Sequence, residues 1–340
     1  KTKFESLDFI VDTVEQQNYG NQLVIQHRDA HQPHILVVAH MDTVFPEGTA
    51  QKRPFKVKGN RAYGPGVADM KSSLVELFYA ILCLKQTGQT GYKHIQIILN
   101  SDEEIGSPSS ASLISEKAAN KKFALILAPA RTDGPLVTAR RGCGQFKVDI
   151  AGVAAPSGIE PEKGRSAIEE LAHKIIALHR LNDQQKGISV NVGMIDGGSA
   201  VNTIASHAAA FVDVRFSEKR QEAIILKQLK KICAETHIPG TKTTLSGKMD
   251  RSPMEKNEKT NLLLETIRQA GKEIGIENTD TATGGGSDAS ITSDLGIATV
   301  DGLGPIGGNA HSEEEYLEIP SLTERTLLLA TVIQKLSKMT

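Results

Sequence analysis

Apolar and polar positions along this chain follow two periods, one near two residues and one near 3.6. NQLVIQH (21–27), HILVVAH (34–40), HIQIILN (94–100) and FALILA (123–128) are short runs rich in β-branched or aliphatic residues, and they predict strands. Between them, DMKSSLVELFYAILCL (69–84) and SPSSASLISEKA (107–118) have helical spacing, and FESLDFIVDTVEQ (4–16) predicts an amphipathic helix at the front. Strands and helices in alternation predict an α/β fold, a mainly parallel sheet with flanking helices. Such sheets carry their sites at the carboxyl ends of the strands.

The texture changes near Gly144. FKVDIAG (146–152), ISVNVGMI (188–195) and HAAAFVDVRF (207–216) read as antiparallel strands, and GRSAIEELAHKIIALHRL (164–181) and EAIILKQLKKICAE (222–235) as two helices. They predict a small α+β domain over 143–252, inserted into a larger one formed by 1–142 and 253–340. The first texture returns after Arg251 with a helix in NLLLETIRQAGKEIG (261–275), a turn into a helix at TGGGSDAS (283–290), a strand in IATVDGLG (297–304) and a last helix from Pro320.

Charge narrows the function classes. With 39 basic and 40 acidic residues the net charge is −1, which argues against a protein that holds nucleic acid or a membrane surface electrostatically. No apolar run reaches the roughly 18–20 residues of a membrane span. Cys83, Cys143 and Cys233 are scattered, without a CxxC pair, and fit reduced thiols better than a disulfide framework or a thiolate metal site.

Four polar stretches fall at strand ends or helix starts. VVAHMDTVFP places His40 two residues from Asp42, an imidazole with a carboxylate to orient it. YGPGVADMKSS sets Asp69 at a helix start, where it could equally serve as an N-cap. ILNSDEEIGS crowds Asp102, Glu103 and Glu104 behind a strand, a repulsion that a cation or a proton would relieve. GPIGGNAHSEEEY presents His311 from a glycine-rich loop. Two imidazoles and several carboxylates without thiolates suit zinc, with cobalt or manganese as substitutes.

The motifs HMDTV, YGPGVADMK, DEE, GIEPEKGRSAIEEL, GGGSDA and AHS-x-x-EY resemble, in this order, those of the zinc metallopeptidases that include glutamate carboxypeptidase, aminoacylase, the acetylornithine and succinyl-diaminopimelate deacylases and peptidase T. The similarity is greatest to the glutamate-carboxypeptidase branch. The resemblance implies His40, Asp69, Glu104 and His311 as metal ligands, Asp69 bridging two ions, Glu103 as general base and Asp42 as the partner that orients His40. It matches Asn202, Arg215, Arg251, Gly285 and Gly286 to substrate-contacting positions, and the small domain to a lid through which relatives form homodimers. The expected substrate is a small peptide or an N-acyl amino acid. A cytoplasmic location is favoured over a periplasmic or secreted one, although relatives carry a further N-terminal helix and the chain, starting at Lys1, looks trimmed.

Two departures touch the chemistry. Where relatives have a metal-ligating Glu-Pro or Asp-Pro, this chain has Ala128-Pro129, and where they commonly have an oxyanion-stabilising His it has Pro156. The expectation is therefore one firmly bound zinc on Asp69, Glu104 and His311, with the second ion weak or absent. The alternative is a relative that binds a peptide or amino-acid-like ligand without turning it over.

Overall fold

The computed structural model describes residues 1–339 and contains two compact units: Lys1–Arg140 with the stretch from Met254 onwards, and Arg141–Pro253. In the first unit a six-stranded sheet runs, in spatial order, Phe9–Val14, Gln22–His27, Ile95–Asn100, Ile35–His40, Phe123–Ile126 and Ala298–Val300. The last four are mutually parallel, Gln22–His27 runs against them, and Phe9–Val14 pairs antiparallel with Gln22–His27. Register pairs Ile35 with both Ile95 and Phe123, so the parallel strands end level, at His40 and Asn100.

The period of two explains why this sheet is covered on both sides. Ile35 and Val37 pack with Leu77 and Ile81 of the Ser72–Gln86 helix and Leu328 and Val332 of the Ile319–Leu336 helix. Leu36 and Val38 point the other way, to Ile114 and Ala118 of the Ser110–Ala118 helix and Ala289 of the Ala289–Asp294 helix. A second, five-stranded sheet is ordered Lys56–Lys58, Arg61–Tyr63, Tyr316–Glu318, Gly304–Gly308 and Pro129–Ala130. It supports the loop that bears His311.

The front of the chain differs from expectation. Residues 4–16 do not form one helix: a single helical turn, Thr2–Glu5, is followed by the strand Phe9–Val14. Phe9 and Val11 are buried while Ile10 is 46% exposed, a period of two, and the strand pairs along its whole length with Gln22–His27. Edge pairing overrides a helical spacing that was real but short.

In the second unit, Ser189–Gly197, His207–Phe216, Gly142–Ala151 and Lys242–Arg251 form an antiparallel sheet in that order. Phe146, Val148, Ile150, Val212 and Val214 pack against Leu171 and Leu178 of the Ala167–His179 helix and Ile225 and Leu229 of the Lys219–Ala234 helix. The first of these helices starts at Ser166, whose hydroxyl accepts from the N–H of Glu169, and the second at a Glu218–Gln221 capping box. All three cysteines are free thiols. Among the described residues no helix is long and apolar enough to cross a membrane.

Candidate metal centre

The parallel strands deliver the polar residues to one edge. His40 is the last residue of Ile35–His40, and Glu103 and Glu104 open a short 3₁₀ turn just after Ile95–Asn100. Asp69 lies in the kinked segment Val67–Lys71 ahead of the Ser72–Gln86 helix, with non-helical φ −110° and ψ 96°. It does not cap that helix; its carboxylate faces two imidazoles. His311 holds φ 67° in the loop after Gly304–Gly308.

Asp69 divides its oxygens. Oδ1 is 3.1 Å from His40 Nε2, and Oδ2 is 3.5 Å from His311 Nε2. His311 Nε2 is also 3.2 Å from Glu104 Oε2. Donor atoms of His40, Asp69 and Glu104 all lie within 4.8 Å of one another. On the far side of His40, Nδ1 stands 3.4 Å from Asp42 Oδ1 and 3.1 Å from the Asp42 carbonyl, and the other Asp42 oxygen accepts the N–H of Glu104 at 2.9 Å. One carboxylate thus orients one imidazole and ties it to the backbone of Glu104.

The charges of the cluster are unbalanced toward carboxylate. Burial opposes a charge on His40, but Asp42 and Asp69 outweigh it and raise its imidazole well above the ordinary value. Asp69 raises His311 as well. Burial and the neighbouring Asp69 charge push the Glu104 carboxyl up. Burial would do the same to Asp69, yet hydrogen bonds from His311 and His40 hold it far below the carboxylate range. Glu104 Oε1 is buried and accepts no hydrogen bond. Histidines drawn toward protonation and an orphaned buried carboxylate oxygen are what a bound divalent cation would resolve.

The supporting residues include several that lie in the sequence motifs without a role of their own assigned to them. Glu315, 1% exposed, accepts the N–H groups of Gly66, Ala68 and Asp69 at 2.8, 2.9 and 2.9 Å, and so shapes the turn that carries Asp69. Gly66 is at φ 72°, where an added Cβ would come within 2.5 Å of the Thr43 methyl. Asp102 does not join the cluster. It turns inward and accepts from the N–H groups and hydroxyls of Ser109 and Ser110, so of the three acids only Glu103 and Glu104 line the cavity. Asn100 donates to Asp288 at 2.8 Å beneath the same edge.

A cavity of about 290 Å³ opens on the cluster, lined in part by His40, Asp69, Glu103, Glu104 and His311 together with Ala128, Arg131 and Arg140. Gly285 and Gly286 line it too; the Arg140 Nη1 donates to their carbonyls at 2.9 and 3.3 Å while its Nε holds Asp301 at 2.7 Å. Ala128 brings only a methyl group. Asn202, Arg215, Arg251 and Pro156 belong to the second unit. There Arg215 and Arg251 are both register partners of Cys143, from opposite neighbouring strands, and Arg215 Nε is bound to Asp213 at 2.9 Å. Exposed Pro156 bridges Thr203, next to Asn202, whose carbonyl accepts the N–H of Ser157.

Comparison with known proteins agrees with this architecture. The family model described as peptidase family M20/M25/M40 matches residues 36–335. Carboxypeptidase G2 of Pseudomonas sp. (strain RS-16) is 28% identical over 323 residues, covering 93% of this chain and 77% of that protein. The crystal structure of aminopeptidase PepT from Bacillus cereus superposes with a TM-score of 0.83 at 23% identity, covering 99% of this chain and 91% of the other. That of the Bacillus subtilis YXEP protein, described as a dinuclear metal binding peptidase from the M20 family, gives 0.70 at 17% identity, covering 100% and 91%. With 300 consecutive residues inside the family model and a cluster of His, Asp and Glu at the strand ends, this chain is a member of the M20/M25/M40 peptidase family, a family of hydrolases.

Proposed function

We propose that this protein is a metal-dependent exopeptidase or amidohydrolase that releases an amino acid bearing a free carboxylate, in the manner of a glutamate carboxypeptidase. The observation that carries the reading is the split Asp69 carboxylate between His40 and His311, with Glu104 beside it. Asp69, Glu104 and His311 would hold one zinc, or cobalt or manganese in its place. His40 and the other Asp69 oxygen would offer a second ion two protein atoms, because Ala128 supplies no donor. A bound divalent ion polarises an amide carbonyl and makes water more acidic. Glu103, on the 3₁₀ turn beside Glu104, accepts the proton of the attacking water and passes it to the leaving nitrogen. Asp42 keeps His40 in one orientation. Asn202, Arg215 and Arg251 of the second unit, and the Gly285–Gly286 backbone, are the substrate contacts of this reading; a guanidinium suits a terminal carboxylate because it binds both oxygens at once.

Ala128 and Pro156 favour a second reading, ligand binding without turnover. The absence of an oxyanion donor at Pro156 would typically cost about 10²–10³ in rate. Metal analysis after extensive dialysis separates the two: the expectation is one retained ion per chain, rising to two in Ala128→Glu. Two tightly held ions in the unchanged protein would refute the role given to Ala128. Ala128→Glu combined with Pro156→His should raise release of C-terminal glutamate from a small peptide, whereas no hydrolysis by either form supports the binding-only reading.

The second unit is also assigned the homodimer contact. Its edge strand Ser189–Gly197 pairs on one side only, and Met194 and Ile195 on it are 67% and 68% exposed. Unpaired edges with apolar side chains are ready partners for a second copy. Sedimentation should give a dimer, and a monomer at micromolar concentration would exclude this contact.

A further inference from the structure

Two arginines line the cavity, and they are in different states. Arg140 is committed to Asp301 and to the carbonyls of Gly285 and Gly286. Arg131, three residues beyond Ala128, has no hydrogen bond or ion pair from its guanidinium to any described residue, and its Nε is buried without a partner. The carboxylates whose charge reaches it are Asp301 and Asp69. Asp301 is already taken by Arg140 and by the Ser287 hydroxyl, and Asp69 by the two imidazoles. Burial and the nearby Arg140 both work against its charge. A half-buried cation with no counter-charge of its own is costly to keep.

The backbone around Arg131 is held in place. It follows the strand Pro129–Ala130, which pairs with Gly304–Gly308, and its carbonyl accepts the N–H of Gly134 at 2.8 Å in a closed turn. A positioned, unpartnered guanidinium in a cavity that also contains the metal-type cluster is a receptor for a planar anion.

We propose that Arg131 is the carboxylate anchor of this cavity, binding the free α-carboxylate of the substrate's terminal residue from within the first unit. This rests on the reading that the cavity takes a carboxylate-bearing ligand, and it adds an anchor beyond Arg215 and Arg251. It also gives the Ala128 end of the cavity a fixed positive charge, which disfavours a second divalent ion there and attracts the ligand's anionic end.

Calorimetric titration of metal-free protein tests the anchor without requiring catalysis. L-Glutamate, L-leucine and leucine amide are the probes. The free acids should bind, the amide about tenfold or more weakly, and Arg131→Gln should lose about tenfold or more for the acids only, a change of about 1.4 kcal/mol. Arg131→Lys should retain part of the affinity, and equal unfolding temperatures for the variants would exclude a folding defect. Wild-type affinity in Arg131→Gln, or no binding of either free acid at millimolar concentration, would overturn the proposal. Ion content and peptide hydrolysis, measured separately, distinguish the failures. Retained zinc and hydrolysis with indifferent Arg131 remove the anchor alone. Acid binding through Arg131 without hydrolysis removes the hydrolase reading and leaves the anchor standing.

Discussion

Glu315→Ala should cost about 3 kcal/mol or more of stability and weaken ion binding by about 10–100-fold. The Glu315 carboxylate is the common acceptor for the N–H groups of Gly66, Ala68 and Asp69, and it is buried. Alanine would leave three donors without an acceptor in a place water reaches poorly, and each such loss is worth about 1–3 kcal/mol. The same three bonds fix the backbone of the kinked turn, so the Asp69 oxygens would lose their aim at His40 and His311. Glu315→Gln is the informative companion: one oxygen stays, but an NH₂ group is set against an N–H donor, so an intermediate loss is expected. Urea unfolding of the metal-free protein reads the first effect, and competition with a chromogenic chelator the second. A Glu315→Ala protein within about 1 kcal/mol of the original, with unchanged ion affinity, would refute the role.

Much of the fold was legible because the parallel strands are apolar on successive positions, and such runs have few alternatives once helical segments separate them. The segment 4–16 was not legible. Its apolar spacing at Phe4, Leu7, Val11 and Val14 satisfies a helix, while Phe9 and Val11 satisfy a strand, and the choice is made by the partner at 22–27. His40, Asp69, Glu104 and His311 stood out as chemical types at strand ends or helix starts, and the structure brings them together. The roles of their supports did not stand out. Glu315 is the E of the AHS-x-x-EY motif, but as the last of three consecutive glutamates it reads as part of a solvated run, and its burial is what shows it as an acceptor. Asp102 looked like a third acid of the cluster because nothing short-range reveals that Ser109 and Ser110 turn back to meet it. Arg131 reads as a loop charge, and whether a loop arginine faces solvent or a cavity depends on packing between distant segments.

The second unit carries the other large expected effect. Lys174 and Glu170 sit at i and i−4 on the Ala167–His179 helix, 2.8 Å apart, with side chains 1% and 0% exposed. The second Glu170 oxygen accepts the N–H groups of His237 and Ile238 at 2.8 and 2.7 Å, and Lys174 donates to the Glu235 carbonyl. The pair therefore pins the stretch after the Lys219–Ala234 helix to the neighbouring helix. Lys174→Met would leave a buried carboxylate without its cation, and removing one partner of such a pair costs about 3–5 kcal/mol. The double change Glu170→Gln with Lys174→Met keeps an acceptor for both N–H groups and removes both charges, so it should cost less than Lys174→Met alone. Acidity gives an independent check. Burial works against the Glu170 charge, but the Lys174 ammonium and the Ile238 and His237 N–H groups outweigh it and hold the carboxyl below its ordinary value. A depressed carboxyl contributes stability that is fully present above its unfolded pKa and is lost as the pH falls through the folded one. The stability gap between the unchanged protein and Glu170→Gln should accordingly be widest near neutral pH and narrow on acidification. A gap that stays constant or widens in acid would show that the Glu170 charge is not what secures the two helices.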